Sequence, residues 1–318
     1  MQVRFLLAGR GLVRESGFDP HLERMVPWAV YPVSLRIGGV FFVLKYVLAI
    51  RPYRYMLSIS KWRRRMDIAP DAKVAVWFSC GAASAAAAKL TLDLYGKDRV
   101  RVVNNPVLEE DEDNRRFLAD VQDWLGVKIE SATHDKYPDG SAVKVWDDRA
   151  YMSGVAGAPC TTIVKKQARQ QWESRNPIDY IVLGFTADER RRHDMFVKTE
   201  RGNVIPVLID AGMTKQDCFE MLNREGLKLP RVYAEGYPNA NCIGCVKATS
   251  PTYWNLVRET RPEVFASRAE QSRRIGARLV RIKNRRAFLD ELLPTDKGRS
   301  LKTLKMPDCG IFCEEFKG

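Results

Sequence analysis

The chain has 318 residues, of which 45% are hydrophobic and 29% charged, a composition that is ordinary for a globular protein and excludes fibrous and disordered classes. Its net charge is +13, but residues 1–65 contain 12 Lys and Arg against 3 Asp and Glu, whereas the other 253 residues contain 40 against 36. The basic excess belongs to the N-terminal stretch. Charge therefore does not indicate a nucleic-acid partner for the rest of the chain, although such a partner stays an open alternative.

The seven cysteines are too unevenly placed for the disulfide framework of a small secreted domain. Cys242/Cys245 and Cys309/Cys313 form two close pairs, whereas Cys80, Cys160 and Cys218 stand alone. This spacing indicates metal or redox chemistry in a reducing compartment, and we expect a cytoplasmic protein. Cys218 is instead predicted to be a small buried hydrophobe on a helix face.

Residues 1–65 are predicted to form an N-terminal extension. Residues 37–50 are apolar apart from Lys45, but a membrane-spanning helix needs about 20 apolar residues, so no membrane span is predicted. Two interpretations stay open: an interfacial helix anchored by the basic residues 61–65, or an over-called reading frame whose true start is Met66.

From Lys73 onward, strand-like and helix-like segments alternate. Predicted strands cover residues 73–79, 100–105, 127–132, 179–185 and 203–209, the last weakened by Pro206. Predicted helices follow them at residues 83–96, 114–126, 160–175 and 213–226, with Thr214 as an N-cap and Gly126 and Gly226 beyond helix ends.

This alternation predicts an α/β fold, a Rossmann-like parallel sheet of about five strands with flanking helices. Residues 66–227 would form the nucleotide-binding α/β domain. Residues 228–318, which lack strand patterns, would form a helical, cysteine-bearing C-terminal region. Within it, Tyr253, Trp254 and Val257 have helical spacing and are interpreted as core rather than as a base-stacking surface.

The turn after the first strand of this domain consists of small residues, Ser79-Cys80-Gly81-Ala82-Ala83-Ser84. Ligands of parallel α/β sheets bind beyond the carboxyl ends of the strands, where a helix N-terminus and a glycine suit a phosphate or sulfate. The turn matches neither a Walker loop nor G-x-G-x-x-G. The competing interpretation is a tight turn that uses small residues only for packing.

The turn resembles the pyrophosphate loop of the adenine nucleotide alpha-hydrolase-like (PP-loop) superfamily. Residues 74–313 more closely resemble the phosphoadenosine phosphosulfate reductase family, on three further segments: "EEDEDNRRFLADVQDWLG", "LGFTADERRRHD" and the tail "PDCGIFC". Ala83 replaces the loop Asp of ATP-splitting relatives, and Phe312 replaces the His of the reductase tail. Both differences argue against the assumption that this chain catalyses the family's reaction unchanged.

The resemblance implies an adenine nucleotide held by Ser79, Cys80, Gly81, Ala82 and Ser84, and closed in by Glu189, Arg190, Arg191 and Arg192. Arginine matches phosphate and sulfate oxygens in a bidentate manner, although such a charge run also suits a solvated face. His193, next in the chain, is interpreted as a surface residue.

Two cysteines separated by two residues, Cys242 and Cys245, can point at one centre and are open to zinc, iron–sulfur and thiol redox chemistry. Cys160 lies 82 residues earlier, close to the spacing of the cluster-bearing reductases. The resemblance implies a four-iron four-sulfur cluster on Cys160, Cys242, Cys245 and Cys313, with Cys309 as the alternative fourth ligand. Zinc is the alternative metal, and unliganded thiols are the remaining interpretation.

The resemblance therefore predicts a sulfonucleotide reductase-like enzyme, that is, an oxidoreductase or sulfur-transfer enzyme. In this enzyme Cys309 would attack sulfur, and a thiol electron donor would be a partner. Two alternatives remain. One is a PP-loop ATP pyrophosphatase that moves sulfur onto a nucleic acid, and the other is a non-catalytic module that binds an adenine nucleotide and a metal.

Overall fold

The computed structural model describes residues 30–37, 40–47, 68–154 and 157–301, the first two ranges by their backbone. The chain divides into two compact units, Met1–Asp67 and Ile68–Gly318. Cys309, Cys313 and the basic residues 61–65 lie outside the described ranges. Their predicted roles therefore stay predictions, as does a boundary at residue 227.

The N-terminal unit contains an antiparallel pair of strands, β1 (Val30–Ile37) and β2 (Val40–Val47). An interfacial helix over residues 37–50 is therefore wrong. Val40, Phe41, Phe42 and Val43 are β-branched or aromatic, and Gly38-Gly39 is a dipeptide typical of two-residue hairpin connections, so local preference favours strands.

The second unit is built on a five-stranded parallel sheet in the order β5-β4-β3-β6-β7. This confirms the predicted Rossmann-like α/β fold. Its strands are β3 (Val74–Phe78), β4 (Val100–Asn104), β5 (Ile129–Ser131), β6 (Tyr180–Val182) and β7 (Val204–Ile205). All five residues of β3 are buried, as expected for a central strand that is covered on both faces.

Helices occupy the connections between the strands of the sheet, and two more follow its last strand. They are α1 (Ala82–Tyr95), α2 (Asp113–Leu125), α3 (Ala142–Arg149), a π-helix (Thr161–Gln167) continued by α4 (Ala168–Arg175), α5 (Arg190–Thr199), α6 (Val207–Asp210) and α7 (Lys215–Arg224). The predicted strand over 203–209 is too long: Pro206, which has no N–H to donate, ends β7 and precedes α6.

The C-terminal part contains α8 (Arg231–Ala234), α9 (Pro251–Thr260) and α10 (Pro262–Ile275). It also contains an antiparallel hairpin that the sequence pattern did not predict, β8 (Val280–Ile282) and β9 (Arg285–Ala287). Three charged arginines in this hairpin (Arg281, Arg285, Arg286) hide its strand pattern.

Clusters of buried hydrophobic residues hold the described part of the second unit together, and two of them position the site. One lies against the sheet and includes Trp77, Ile181 and Phe196. The other joins Val107 and Trp146 to Tyr253, Trp254 and further C-terminal residues. Tyr253 and Trp254 are almost fully buried, which confirms their interpretation as core, and Cys218 is buried on α7 as predicted. Among the described helices, none has the length and apolarity that crossing a membrane requires.

Candidate nucleotide and thiolate site

The small-residue turn lies where strand order reverses in the sheet, the place at which open α/β sheets bind ligands. The turn follows β3, and Gly184 follows the neighbouring strand β6. A Cβ atom added to Gly184 would come within 2.9 Å of the Ser84 nitrogen and 3.1 Å of the Ala83 carbonyl carbon. The chain after β6 therefore approaches the first turn of α1 at backbone contact, which only glycine allows.

Two serines close the turn on itself. The Ser79 N–H donates to Ser84 Oγ at 3.1 Å, and the Ser84 hydroxyl donates to the Gly81 carbonyl at 2.9 Å. Gly81 is the N-cap of α1, which has neither a capping side chain nor an acidic residue in its first turn. A helix of 14 residues thus presents its positive end at this edge without a side-chain cap.

Cys80 contributes backbone rather than its thiol to the turn. It adopts the left-handed conformation at φ 55°, which a non-glycine residue rarely does, and its side chain is buried. Burial raises the pKa of the thiol well above its usual range, and the nearby charge of Glu110 adds to the effect. Cys80 is therefore held as a neutral thiol, accepting from Asn104 Nδ2 at 3.5 Å.

An acid and a base lie close to the turn. Lys165 Nζ contacts Glu110 Oε1 at 3.0 Å, and both side chains are largely buried. The charges of both reach Cys80. Lys165 belongs to the π-helix, a rare conformation that is frequent at functional sites. A carboxylate is thus present near the turn although Ala83 carries none.

Tyr233 of α8 joins the turn to the cysteine-bearing loop. Its hydroxyl hydrogen-bonds to the backbone of Ala82, in the first turn of α1, and to the backbone of Ala240. Burial raises its pKa to about 12, and the two hydrogen bonds oppose that effect. One neutral phenol therefore bridges the predicted nucleotide cradle and the segment that leads to Cys242.

Glu189 and Arg192 form an ion pair with each other. The Glu189 carboxylate accepts from Thr186 N–H at 3.2 Å, which forms a capping box, and contacts Arg192 Nη1 at 2.5 Å. The Arg192 guanidinium also lies 4.9 Å from the Phe185 ring centre. These contacts shape the start of α5, and nucleotide binding by either residue stays a prediction.

Arg190 and Arg191 line an open surface depression of about 450 Å³, together with Asp194, Met195 and Lys198. Their binding to a nucleotide also stays a prediction. The expectation that His193 lies at the surface is wrong: it is 8% exposed and packs edge-on against Phe185. Helical periodicity places it on the inner face of α5, beside Phe196.

Cys160, Cys242 and Cys245 all pack in the second hydrophobic cluster. Cys160 immediately precedes the π-helix. Gly244, at φ +68°, gives the loop between the other two its turn. The Ile243 N–H donates to the Glu109 carbonyl at 3.0 Å, and the Cys245 N–H donates to the Tyr253 hydroxyl at 3.0 Å. The loop is thereby fixed to the segment that follows β4.

Within residues 68–154 and 157–301, no group of three or more Cys, His, Asp and Glu side chains is arranged to hold a metal ion. The predicted set also requires Cys313 or Cys309, which lie outside the described residues. The chemistry of the donors suits an iron–sulfur cluster or zinc, because all are thiols. A buried arginine is close to the loop: Arg268 Cγ lies 3.6 Å from a Cβ atom built on Gly244, and its Nε has no hydrogen-bond partner among the described residues.

The sequence did not point to several residues of this region. Gly184, Glu110, Lys165, Tyr233 and Arg268 come from five different segments that meet only in the fold. A glycine directly after a buried strand was an available signal for Gly184. Glu110 lies in the acidic segment on which the family resemblance partly rests, whereas Lys165, Tyr233 and Arg268 carry no local pattern that separates them from ordinary surface residues.

No protein-family model matches the chain, and no curated protein is significantly similar to it. Among solved structures, it is similar to the U34-tRNA thiolase NcsA from Methanococcus maripaludis with its 4Fe-4S cluster. The sequences are 13% identical, the TM-score is 0.44, and the match covers 71% of this chain and 81% of the other. Similarity of this degree assigns neither a family nor an activity.

Proposed function

We propose that the chain is a sulfur-transfer enzyme of the PP-loop type, which binds an adenine nucleotide at residues 79–84 and uses the neighbouring cysteines for sulfur chemistry. The observation that carries the proposal is the position of the Tyr233 hydroxyl, which lies 3.4 Å from a Cβ atom built on Gly81 of the turn and is acted on by the backbone of Ala82 and of Ala240, on the side of the cysteine loop. The tRNA thiolase with a similar structure also transfers sulfur, but the proposal is based on the site of this chain.

Backbone groups supply the phosphate cradle. Ser79, Gly81 and Ser84 fix the turn, and the N–H groups at the start of α1 that the Tyr233 hydroxyl does not engage would bind an anion. Lys165 would contact phosphate oxygens, and Glu110 would supply the carboxylate that Ala83 lacks. In this reaction an acceptor oxygen attacks the α-phosphorus of ATP and releases pyrophosphate. A sulfur nucleophile then displaces AMP and leaves sulfur on the acceptor, for which nucleic acid is the proposed class.

Cys160, Cys242 and Cys245, completed by Cys313 or Cys309, would hold a four-iron four-sulfur cluster, with zinc as the alternative. Such a cluster, when bound, offers an iron at which sulfur can be held. The chain's own contribution is to fix the thiolates, since Tyr253 and Glu109 bind the backbone of the Cys242–Cys245 loop. The surrounding cluster of buried hydrophobic residues limits access of water.

A sulfonucleotide reductase is the second candidate. The sequence tail around Cys309 and the absence of an acidic residue at Ala83 favour it. In that reaction Cys309 attacks the sulfur of the sulfonucleotide and releases the nucleotide, and a thiol reductant then releases sulfite. The two candidates share the nucleotide cradle and differ in their products.

The full chain, purified without oxygen, would be incubated in parallel with ATP, magnesium, sulfide and transfer RNA, and with a sulfonucleotide and a thiol reductant. We expect pyrophosphate release and labelled sulfur in the RNA, without sulfite. Glu110→Gln should lower kcat/KM for pyrophosphate release by about 10- to 100-fold, because the carboxylate lies at the nucleotide turn. The exposed neighbour variant Glu112→Gln should keep it.

Sulfite release that disappears in Cys309→Ser would instead establish the reductase. Nucleotide binding without either product would establish a non-catalytic binding module. Both outcomes would contradict the proposed sulfur transfer, so the product assay separates the three functions.

A further inference from the structure

The end of α10 and the hairpin β8–β9 form one strongly basic segment. Residues 271–289 contain seven Lys and Arg and no Asp or Glu, whereas residues 66–318 together contain 40 against 36. All seven basic residues are exposed, and they are Arg273, Arg274, Arg278, Arg281, Lys283, Arg285 and Arg286. Positive charge is therefore concentrated on one surface segment of a region that is otherwise nearly balanced.

Carboxylates neutralise only part of this charge. Three of the seven cations have acidic partners, in the ion pairs Arg273–Asp290, Arg274–Asp147 and Arg285–Glu291. Arg278 lies over the Phe288 ring, with its guanidinium carbon 5.5 Å from the ring centre. The other three, Arg281, Lys283 and Arg286, lie in the hairpin and neither pair with a carboxylate nor stack on a ring within residues 68–154 and 157–301.

Two of these cations are directly opposite each other. Arg281 of β8 and Arg286 of β9 form a cross-strand pair, and the next pair, Val280 and Ala287, is fully buried on the other face of the hairpin. Side chains of directly opposite residues have Cβ atoms about 4.5–5.5 Å apart, and like charges at such positions are destabilising. The outer face of the hairpin therefore holds two cations at an unfavourable distance.

The turn of the hairpin places a third cation at its tip. Lys283 and Asn284 are the two residues of the turn, and their φ angles are 44° and 68°. Turns of this kind favour Asn, Asp and Gly, whereas a lysine rarely adopts a positive φ. Backbone conformations of this kind are concentrated at functional sites. The hairpin thus contains a cation at the tip although the turn favours another residue type.

The hairpin is attached to the segment that follows the cysteine loop. The Arg281 N–H donates to the Thr249 carbonyl at 2.9 Å, four residues beyond Cys245. Val280 and Ala287 belong to the hydrophobic cluster that also contains Cys245. A molecule bound to the outer face is therefore held on the same packed unit as the cysteine loop.

We propose that the β8–β9 hairpin is a nucleic-acid-binding surface, on which Arg281, Lys283 and Arg286 contact the phosphate backbone. The inference rests on the proposed function, because it assigns a surface to the nucleic-acid acceptor. A polyanion supplies the negative charge that the opposed arginines lack, and arginine binds phosphate oxygens in a bidentate manner. Contacts to phosphates position a nucleic acid without reading its bases, so no base preference is expected.

A lipid surface is the less favoured partner of the same charge. Proteins that bind at a membrane interface bury apolar side chains among the acyl chains as well as basic ones at the headgroups. The hairpin exposes no large apolar side chain, since Ile282 is half-buried. Its outer face offers charge and hydrogen-bond donors alone, which suits a phosphate backbone in water.

The test uses the full chain and labelled transfer RNA, without ATP, magnesium or sulfide. Arg281→Gln/Lys283→Gln removes two hairpin cations and keeps Arg286, whose Nη1 donates to the Leu279 carbonyl at 3.1 Å. Lys128→Gln/Arg224→Gln removes two exposed cations outside the segment as a matched control. Fluorescence anisotropy at several salt concentrations measures RNA binding, and circular dichroism measures the melting temperature. Sedimentation with vesicles of phosphatidylserine and phosphatidylcholine measures membrane binding.

For wild type and the control we expect equal affinity for transfer RNA, with an association constant that falls as salt rises. Arg281→Gln/Lys283→Gln should bind roughly tenfold more weakly. The slope of its logarithmic salt dependence should be smaller by about 1–2, because two phosphate contacts are lost. Its melting temperature should not be lower than that of wild type, since the repulsion between Arg281 and Arg286 is removed. The basic residues 1–65 are the same in all variants, so they do not affect the comparison.

Equal RNA affinity of the hairpin variant and the control, or no RNA binding by wild type at low salt, would overturn the proposed surface. Vesicle binding that is tighter than RNA binding and is lost in the hairpin variant would also overturn it, in favour of a membrane surface. If the double variant does not fold, Lys283→Asn decides, because asparagine suits the turn and the variant still lacks one cation.

The same experiment separates this surface from the proposed reaction. RNA binding that depends on the hairpin, in a chain that releases no pyrophosphate, would support the surface and contradict the proposed sulfur transfer. Sulfur transfer to RNA by a chain whose RNA binding does not depend on the hairpin would contradict the surface alone.

Discussion

At the scale of single residues, the candidate site depends on close backbone approach. A Cβ atom on Gly184 would meet the Ser84 nitrogen, at the start of α1, at 2.9 Å, so this approach leaves little room for a side chain. The sequence predicted the turn at residues 79–84 from its small residues. Gly184, at the end of the predicted strand 179–185, was visible in the sequence, but its approach to this particular turn is set by the pairing of β3 with β6.

Replacing Gly184 with Ala should damage the nucleotide site and the fold together. The new Cβ would meet backbone atoms of Ala83 and Ser84, which cannot rotate away, so the free energy of unfolding should fall by about 1–3 kcal/mol. ATP affinity should fall as well, because the first turn of α1 must shift. Denaturant unfolding and calorimetric titration with ATP measure the two effects.

Gly202→Ala is the matched control, since a Cβ at Gly202 would meet nothing within 4 Å. It should change stability by less than about 0.5 kcal/mol and leave ATP affinity unaltered. Equal behaviour of the two variants would show that Gly184 does not set the position of the turn.

At the scale of elements, the segment after β4 links the sheet to the C-terminal part. Asp111 contacts Arg231 and Arg261, and Asp113 accepts from the Arg231 N–H at 2.8 Å. Burial alone would raise the pKa of Asp111, but the hydrogen bonds from the two arginines outweigh it and lower that pKa. The acidic run "EEDED" was recognised in the sequence. Its partners were not, because they lie more than 100 residues away.

The periodicity of hydrophobic residues was sufficient to predict the longer strands of the sheet and the longer helices that pack on it. Thr214 was predicted as an N-cap, and it forms a capping box with Asp217. The elements that were missed are those in which tertiary contacts override local preference. One of them is the arginine-rich hairpin β8–β9, whereas the helix predicted over residues 160–175 is present and only the π-helical form of its first part was not predicted.

Asp113 gives a pH dependence whose sign follows from its surroundings. The hydrogen bond from Arg116 lowers its pKa from 3.8 to about 2, so its contribution is present above pH 3.8 and disappears as the pH falls through 2. Asp113→Asn should therefore lower the free energy of unfolding at pH 7 by about 2 kcal/mol, and the difference should vanish near pH 2. Denaturant unfolding at several pH values measures it.

The control is Asp93→Asn, which removes an exposed pair with Lys89 on α1. Exposed pairs contribute about 0–1 kcal/mol, so this variant should follow the wild-type curve closely. An Asp113→Asn difference that stays constant from pH 7 to about pH 2 would contradict the assigned pKa.

At the scale of the whole molecule, the compact division falls after Asp67, whereas the sequence suggested a further boundary at residue 227. The basic excess of the sequence lies in residues 1–65, just before this division. No compositional signal could show that residues on both sides of 227 share a core. Val107 and Trp146 pack in one hydrophobic cluster with Tyr253 and Trp254, and Asp111 pairs with Arg261 across the same position.

Two truncated chains test this organisation. A chain that begins at Met66 should unfold in one cooperative transition and bind ATP with the affinity of the full chain, because it retains the whole second unit.

A chain of residues 66–227 should lose cooperative unfolding, because it exposes Val107 and Trp146 and leaves Asp111 without Arg231 and Arg261. Circular dichroism during thermal unfolding and calorimetric titration with ATP distinguish them. A stable, ATP-binding 66–227 fragment would make the C-terminal region a separate domain, and loss of binding in the Met66 chain would place residues 1–65 in the functional protein.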